Sequence, residues 1–366
     1  MYSSYFNGWI GKLDEFWGKE ERETLFHSLL LYTHNLMSSG QKLFIGYDHN
    51  ESSKYIAKQA AEYFSSNGVP VFISNRPITT SMIQIIAKER FGCGSLSFVR
   101  DDYQFPYVGL KASNADGKFL SKKDLSLVGE SKKHKKQPID WFDPLLNLKN
   151  YLEANFIFPN ENKSINNLLW NAMYSPSSPI LEELFINILN KKSIDAYTIN
   201  SYENTLTKDL LNEFEFQEQI DGTTLKMDEY LCHYGITTSP DLSKFDLLRE
   251  NKGTIYPVPF EEIVSMIIPY LKVKECVIIS DEISFTKKSS INLEVKKVSD
   301  KHFFKSLKEH PFSIAIDGNY NIYLQGEFFP NHFASLFCLF HSLLHSPNKS
   351  DSKNIQKNNL PEEIKL

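Results

Sequence analysis

The sequence lacks most of the short motifs that identify a known chemistry. It has no phosphate-binding P-loop, no dinucleotide fingerprint, no HExxH zinc-protease motif and no CxxC pair. It contains four cysteines, which are widely spaced and lie in or beside apolar runs: Cys93, Cys232, Cys276 and Cys338. This pattern predicts buried free thiols in a reducing compartment rather than a disulfide framework.

Long hydrophobic runs and an excess of positive charge are also absent. No apolar stretch reaches the ~18 residues expected of a membrane span, and the first residues lack the basic and apolar segments of a signal peptide. The 40 Lys and Arg residues are outnumbered by 45 Asp and Glu, which gives a formal net charge of −5. We therefore expect a cytoplasmic protein with no nucleic-acid partner and no membrane contact.

What the sequence does contain is an alternation of strand and helix patterns. In the first segment, apolar runs at 42–47, 70–74 and 96–99 alternate with helical patterns at 52–66 and 80–90. Ser52 and Ser53 are predicted to cap the first of these helices. Such alternation is typical of an α/β domain.

The same alternation continues in two further segments of roughly 100 residues each. The second segment has strand patterns at 167–173, 194–199 and 234–238, a helix pattern at 179–189 and a hairpin pattern at 246–256. The third has helix patterns at 260–271, 302–308 and 333–344, and strand patterns at 276–280, 293–298 and 312–316. The coarse prediction is three α/β units.

Three stretches resemble a known family. Residues 44–89 read FIGYDHNESSKYIAKQAAEYFSSNGVPVFISNRPITTSMIQIIAKE, residues 171–184 read NAMYSPSSPILEEL, and residues 234–271 read YGITTSPDLSKFDLLRENKGTIYPVPFEEIVSMIIPYL. In this order and at this spacing they resemble the α-D-phosphohexomutases, the family of phosphoglucomutase and phosphomannomutase. The alternative to this resemblance is an α/β protein outside the family.

The resemblance implies a fold and a domain division. The fold would be α/β, with three consecutive phosphohexomutase-like α/β/α domains that contain mixed sheets. Their expected bounds are 1–145, 146–256 and 257–345, followed by a polar disordered tail at 346–366. The family's fourth domain has no expected counterpart here.

The resemblance also locates the family's phosphoserine loop, which is degenerate here at 99–104. Counting back without gaps from Lys111, which matches a family active-site residue, Asp101 falls on the phosphoserine position. A carboxylate cannot accept and return a phosphoryl group as serine does. Three alternatives stay open: a mimic of the phosphoserine charge, an aspartyl-phosphate route and a solvated acidic turn.

The family's magnesium loop is degenerate as well. Its three aspartates correspond to Ser239, Asp241 and Ser243 within 239–244. One carboxylate and two hydroxyls make a poor site for Mg²⁺, which prefers several oxygen ligands including carboxylates. We therefore expect these residues to be a vestige of the metal site.

The family's sugar-binding loop corresponds to Asp317, Gly318 and Asn319, without the paired glutamates that accept hydrogen bonds from sugar hydroxyls. The alternative is that these residues form a simple turn before a strand-like run at 322–324.

These departures lead to a functional hypothesis. The chain is expected to be a non-catalytic phosphohexomutase homologue, a pseudoenzyme of carbohydrate metabolism that acts as a binding, scaffold or regulatory protein. No cofactor is then expected, and a sugar phosphate is the candidate ligand. The alternative is a divergent phosphoglucomutase/phosphomannomutase-type intramolecular phosphotransferase, an isomerase that would need Mg²⁺.

The apolar helix pattern at 333–344 suggests a protein partner or self-association. An exposed apolar cluster of this size would be unusual on a monomer, although a helix that is apolar nearly all round can also be buried within its own domain. His341 and His345 are predicted to face solvent near the helix end, with metal binding as the alternative. The predicted contact residues are Phe333, Leu336, Phe337, Phe340 and Leu344.

Overall fold

The fold is seen in a computed structural model, which describes most of the chain but not all of it. None of the helices in the part of the chain that is described is long and apolar enough to cross a membrane. The described residues are 2–3, 8–13, 15, 17–99, 107–125, 135–158, 167–173, 175–176, 178–189, 196–199, 213–239, 241–242, 245–272, 275–285, 293–327 and 329–345.

The first unit is built on a seven-stranded mixed sheet. Its elements are β1 Tyr2–Ser3, β2 Gly8–Lys12, α1 Lys19–Leu36, β3 Leu43–Tyr47, α2 Glu51–Ser66, β4 Val71–Ser74, α3 Thr80–Glu89, β5 Gly94–Val99, β6 Tyr107–Asn114 and β7 Ile139–Phe142. The strand order is β1-β2-β6-β5-β3-β4-β7. Strands β3, β4, β5 and β7 are parallel, and β6 and β2 pair antiparallel at one side. Helices α1 and α2 pack on one face of this sheet, and α3 packs on the other.

One local prediction in this unit is wrong. The cap of α2 is Asn50, whose side chain accepts a hydrogen bond of 2.8 Å from the backbone N–H of Ser52. Asn50 has the extended backbone that a capping residue requires. Ser52 and Ser53 therefore lie inside the first turn of the helix.

The second unit has a five-stranded mixed sheet. Its elements are α4 Pro144–Asn155, β8 Leu168–Asn171, α5 Ser178–Leu189, β9 Ala196–Ile199, α6 Glu213–Glu229, β10 Tyr234–Thr238, β11 Phe245–Asn251 and β12 Thr254–Pro257. The strand order is β12-β11-β10-β8-β9, in which the last three are parallel. The predicted hairpin is confirmed. Lys252 and Gly253 form its turn with positive φ angles of 54° and 80°, as the two central residues of a type I′ hairpin turn require.

The third unit has a four-stranded mixed sheet. Its elements are α7 Phe260–Ile267, β13 Cys276–Ser280, β14 Glu294–Val298, α8 Phe303–Glu309, β15 Phe312–Ile316, β16 Ile322–Leu324 and α9 His332–His345. The strand order is β14-β13-β15-β16, and only β16 is antiparallel to its neighbour. Helix α7 is shorter than predicted and continues as a 3₁₀ turn over Ile268–Tyr270. Pro269 explains this, because proline has no N–H to continue the α-helical bonding.

Helix α9 lies in the core rather than on the surface. Phe333, Leu336, Phe337 and Phe340 are each at most 2% exposed and belong to a hydrophobic cluster with residues from all three units. The ring of Phe340 contacts Trp170 of the second unit at a centroid distance of 5.4 Å. The exposed patch predicted at these residues is therefore wrong, because α9 fills the space between the units. The side chain of Leu344 is outside the described part.

The histidine prediction on α9 is wrong for the same reason. His341 is buried, with its ring centroid 5.0 Å from that of Tyr270 and 5.3 Å from that of Phe158. The side chain of His345 lies outside the described part. The cysteine prediction is confirmed in that all four thiols are buried and free.

Candidate functional site

A polar cluster lies where the three units meet. Lys111 comes from β6 of the first unit, and its Nζ is 3.7 Å from Oδ2 of Asp241, in the loop after β10 of the second unit. The two side chains are only 11% and 18% exposed. Water therefore screens this ion pair less than it would a surface pair. The structure thus brings together Lys111, which follows the predicted phosphoserine loop, and Asp241 of the predicted magnesium loop.

The loop after β10 holds Asp241 in a defined orientation. The hydroxyl of Ser239 donates a hydrogen bond of 2.8 Å to Oδ1 of Asp241. Leu242, which is buried, has a left-handed backbone with φ of 60°, and its N–H donates to the carbonyl of Ser239. A β-carbon makes this conformation unfavourable, so the tight turn is kept by the packing of Leu242. Ser243 lies outside the described residues.

This arrangement is a poor fit for Mg²⁺. One oxygen of Asp241 faces an ammonium group and the other accepts a hydroxyl hydrogen bond. Mg²⁺ needs near-octahedral oxygen coordination, usually with carboxylate charge to offset its own. Within the described ranges, no three His, Cys, Asp or Glu side chains form a group suited to a metal ion.

Asp317 organises the turn between β15 and β16. Its Oδ1 accepts hydrogen bonds from the backbone N–H groups of Asn319 and Asn321, at 2.9 and 3.0 Å. Its Oδ2 accepts from the Asn321 amide and the Tyr323 hydroxyl, both at 2.9 Å. Burial, together with the Asp317 carboxylate, raises the pKa of Tyr323 well above its usual range. Residues 317–319 thus belong to a turn between β15 and β16.

The backbone of this turn is also used internally. The N–H of Gly318 donates a hydrogen bond of 2.9 Å to Oδ1 of Asp300. A β-carbon at Gly318 would lie 2.7 Å from a carboxylate oxygen of Glu282. The loop is therefore packed against acidic side chains of its own unit.

His332 is a member of the cluster that sequence reasoning missed. It is the first residue of α9, it is buried, and its Nε2 lies 3.2 Å from Oδ1 of Asn321. The Asn321 amide nitrogen already donates to Asp317, so its oxygen faces the ring and the proton lies on Nε2. Burial lowers the pKa of His332 to about 4, assisted by Lys111 and opposed by Asp241 and Asp317. The imidazole is neutral at pH 7.

The described residues thus unite two of the predicted site positions, Lys111 and Asp241, and link them through His332 to the Asp317 turn. Asp101 and most of the phosphoserine-loop segment 99–104 lie outside the described residues. No short motif marks His332. The only local signal is an asparagine before an apolar helix, which is typical of a helix start.

Both the first unit and the fold of the chain are similar to those of known proteins. Residues 5–137 match the family model for phosphoglucomutase/phosphomannomutase, alpha/beta/alpha domain I. A putative phosphomannomutase from Thermus thermophilus superposes with a TM-score of 0.69 at 14% identity, covering 92% of this chain and 78% of that one. Residues 5–137 are therefore similar to the first domain of phosphoglucomutase/phosphomannomutase, and the chain as a whole has the fold of that solved structure.

Two further solved structures have the same fold. A phosphoglucomutase/phosphomannomutase family protein from Burkholderia thailandensis superposes with a TM-score of 0.70 at 10% identity, covering 94% of this chain and 78% of that one. Parafusin, a phosphoglucomutase from Paramecium, superposes with a TM-score of 0.66 at 12% identity, covering 94% and 71%. A comparison with curated protein sequences returned no match. At these identities the superpositions establish the fold, so the chemistry must be argued from the residues.

Proposed function

We propose that this chain is a non-catalytic member of the α-D-phosphohexomutase superfamily and acts as a binding, scaffold or regulatory protein in carbohydrate metabolism. The observation that carries the proposal is the Lys111–Asp241 ion pair. Asp241 is the one carboxylate at the magnesium-loop positions, and the ammonium group beside it already balances its charge.

A metal ion would have to displace or share this pairing. Mg²⁺ entering next to Asp241 would meet the like charge of Lys111 and only one carboxylate. Breaking a buried ion pair by taking away one partner leaves the other charge uncompensated, at a cost of about 3–5 kcal/mol. The two residues thus stabilise the contact between the first and second units at the expense of a metal site.

The sugar side of the cleft supports the same conclusion. Asp317 uses both carboxylate oxygens within its own turn. Breaking these bonds to receive a sugar hydroxyl would leave buried donors unsatisfied. Lys111 retains a positive charge in the cleft, so the ligand class that we propose is a sugar phosphate, which would compete with Asp241 for the ammonium group.

A mutase assay tests the proposal. Glucose 1-phosphate and mannose 1-phosphate are incubated with Mg²⁺ and a high concentration of the chain, and formation of the 6-phosphates is followed. We expect no conversion above a control without protein. Conversion that is abolished by Asp101→Asn would overturn the proposal and favour the aspartyl-phosphate route of the alternative, a divergent phosphotransferase.

Binding is measured separately by calorimetry with the same two sugar phosphates in the absence of Mg²⁺. We expect heat of binding that Lys111→Met abolishes. Binding that persists unchanged in Lys111→Met would contradict the role given to this lysine.

A further inference from the structure

A segment of the third unit packs against α3 of the first unit and α4 of the second unit. Its described residues are 327 and 329–331, between β16 and α9. Glu327 is 5% exposed and Phe329 is 1% exposed. Their contacts are with α3, with α4 and with the turn that follows β6.

The polar part of this contact is a closed hydrogen-bond network. Oε1 of Glu327 accepts a hydrogen bond of 2.9 Å from the hydroxyl of Tyr151 on α4. The side-chain amide of Asn331 donates to Oε2 of Glu327 and to the Tyr151 hydroxyl, at 2.5 and 2.6 Å. Nζ of Lys88 on α3 is 3.9 Å from Oε1. Burial raises the pKa of Glu327 and raises that of Tyr151 well above its usual range.

The apolar part of the contact is a ring seated on a glycine. A β-carbon placed on Gly117 would lie 2.2 Å from Cδ1 of Phe329, so only glycine leaves room for the ring. The Lys88 ammonium is 5.7 Å from the centroid of the same ring. The amide of Gln84 on α3 donates a hydrogen bond of 2.8 Å to the carbonyl of Gly117. The turn after β6 is thus fixed from both sides.

Both parts connect directly to the cleft. Asn331 uses its Oδ1 to accept a hydrogen bond of 2.9 Å from the N–H of Ala334, which caps α9. The first residue of the capped helix is His332. At the other end, the Gly117 turn follows β6, the strand that carries Lys111. The elements that meet at this contact are therefore the ones that place two cleft residues.

We propose that Glu327, Phe329 and Asn331 form a latch whose docking onto Lys88, Tyr151 and Gly117 seats His332 in the cleft and controls access to it. With the latch docked, α9 is capped and His332 is buried beside the Lys111–Asp241 pair. With the latch released, Asn331 loses its partners, the first turn of α9 opens and His332 becomes accessible.

The energetics suit a contact with two discrete states. A buried network whose members are all hydrogen-bonded is stable, whereas a half-satisfied one is costly. Removing one donor therefore weakens the whole contact rather than one bond. The carboxylate, amide and phenol meet at a boundary between units, where such a change can be accommodated by relative movement.

The test compares the full chain with Tyr151→Phe, which removes one hydroxyl, and with it a donor to Glu327 and an acceptor for Asn331, but little volume. Lys88→Gln is the second variant, since Lys88 is 36% exposed and touches the latch from the surface side. Tyr55→Phe on the exposed face of α2 is the matched control. Hydrogen exchange is measured by mass spectrometry, and diethyl pyrocarbonate labelling reports the accessibility of His332. The exposed His302 and His310 serve as internal standards for labelling.

We expect Tyr151→Phe to speed exchange about tenfold or more in 112–120 and 329–338, because it removes two hydrogen bonds. Lys88→Gln removes a partly exposed ion pair and should speed exchange in the same segments about two- to fivefold. Labelling of His332 should rise by a similar factor, while exchange in 51–66 and labelling of His302 stay unchanged. A uniform rise that includes 51–66 would overturn the proposal, because it would report global destabilisation. Faster exchange at 329–338 without increased labelling of His332 would also overturn it, because latch and cleft would then be independent.

Discussion

Gly117 allows the contact between the first and third units to be tested with a single methyl group. Its φ is 82°, a left-handed conformation that favours glycine. A β-carbon there would also lie 2.2 Å from Cδ1 and 2.8 Å from Cε1 of Phe329. Gly117→Ala therefore introduces two separate costs, one in the backbone and one in packing.

The two costs can be estimated and then separated. The left-handed backbone costs an alanine about 1–2 kcal/mol. Displacing a ring that is fully buried adds about 1–3 kcal/mol of overpacking. Gly117→Ala is therefore expected to lower the free energy of unfolding by about 2–5 kcal/mol. Gly40 has a φ of 86° and no atom within 4 Å of its β-carbon position, so Gly40→Ala should show the backbone cost alone.

Urea denaturation of four variants measures these terms. The set is Gly40→Ala, Gly117→Ala, Phe329→Ala and the double variant of Gly117 and Phe329. Phe329→Ala alone should cost about 3–5 kcal/mol. In the double variant the new methyl group has room, so the loss of stability should be about 1–3 kcal/mol smaller than the sum of the losses in the two single variants. If Gly117→Ala costs no more than Gly40→Ala, or if the costs at Gly117 and Phe329 simply add, the packing argument is refuted.

Three further predictions follow from other sites. Phe91 and Leu231 lie just after α3 and α6 and have left-handed φ angles of 51° and 52°. Their side chains are 81% and 69% exposed. Replacing either by glycine should therefore raise the free energy of unfolding, measured by urea denaturation, by about 0.5–1 kcal/mol. Loss of stability in both would contradict this. Millimolar Mg²⁺ should leave the melting temperature unchanged, and an upward shift that disappears in Asp241→Ala would show a metal site. Burial lowers the pKa of His332 from 6.5, the value in an unfolded chain, to about 4 in the folded chain. As pH falls from 6.5 to about 4, the unfolded chain therefore binds the proton more readily than the folded chain does, and the free energy of unfolding should fall. His332→Gln should flatten that slope, and an unchanged slope would exclude His332 as its cause.

The strands could be predicted well where short apolar runs end at clear breakers. The runs at 234–238, 276–280 and 312–316 have the observed bounds. Helices α1 and α6 were not predicted, because their apolar residues do not form a strong stripe. Among the described side chains of α6, only Thr223 and Met227 are buried. A helix that rests on a sheet through so few side chains leaves little periodic signal.

The site could be predicted only in part. The resemblance placed Lys111 and Asp241 near one cleft, but their pairing depends on the distance between two loops, which no local pattern encodes. His332 was missed because its surroundings come from the turn between β15 and β16, the loop after β10 and strand β6. For the apolar helix pattern at 333–344, an exposed face and burial both stayed open, because a pattern that is apolar nearly all round fits an interface and a core equally well.

The internal pairing of the cleft bears on the proposed function. An active site keeps polar groups available for its ligand, and this costs stability. Here Lys111 is paired with Asp241, Asp241 also accepts from Ser239, and Asp317 holds Asn321, which in turn holds His332. Each of these contacts stabilises the junction of the three units and uses a group that substrate would otherwise contact. A chain released from the need to turn over substrate would be free to accumulate such pairings. These pairings are what supports the proposal of a binding scaffold over the alternative of a phosphotransferase.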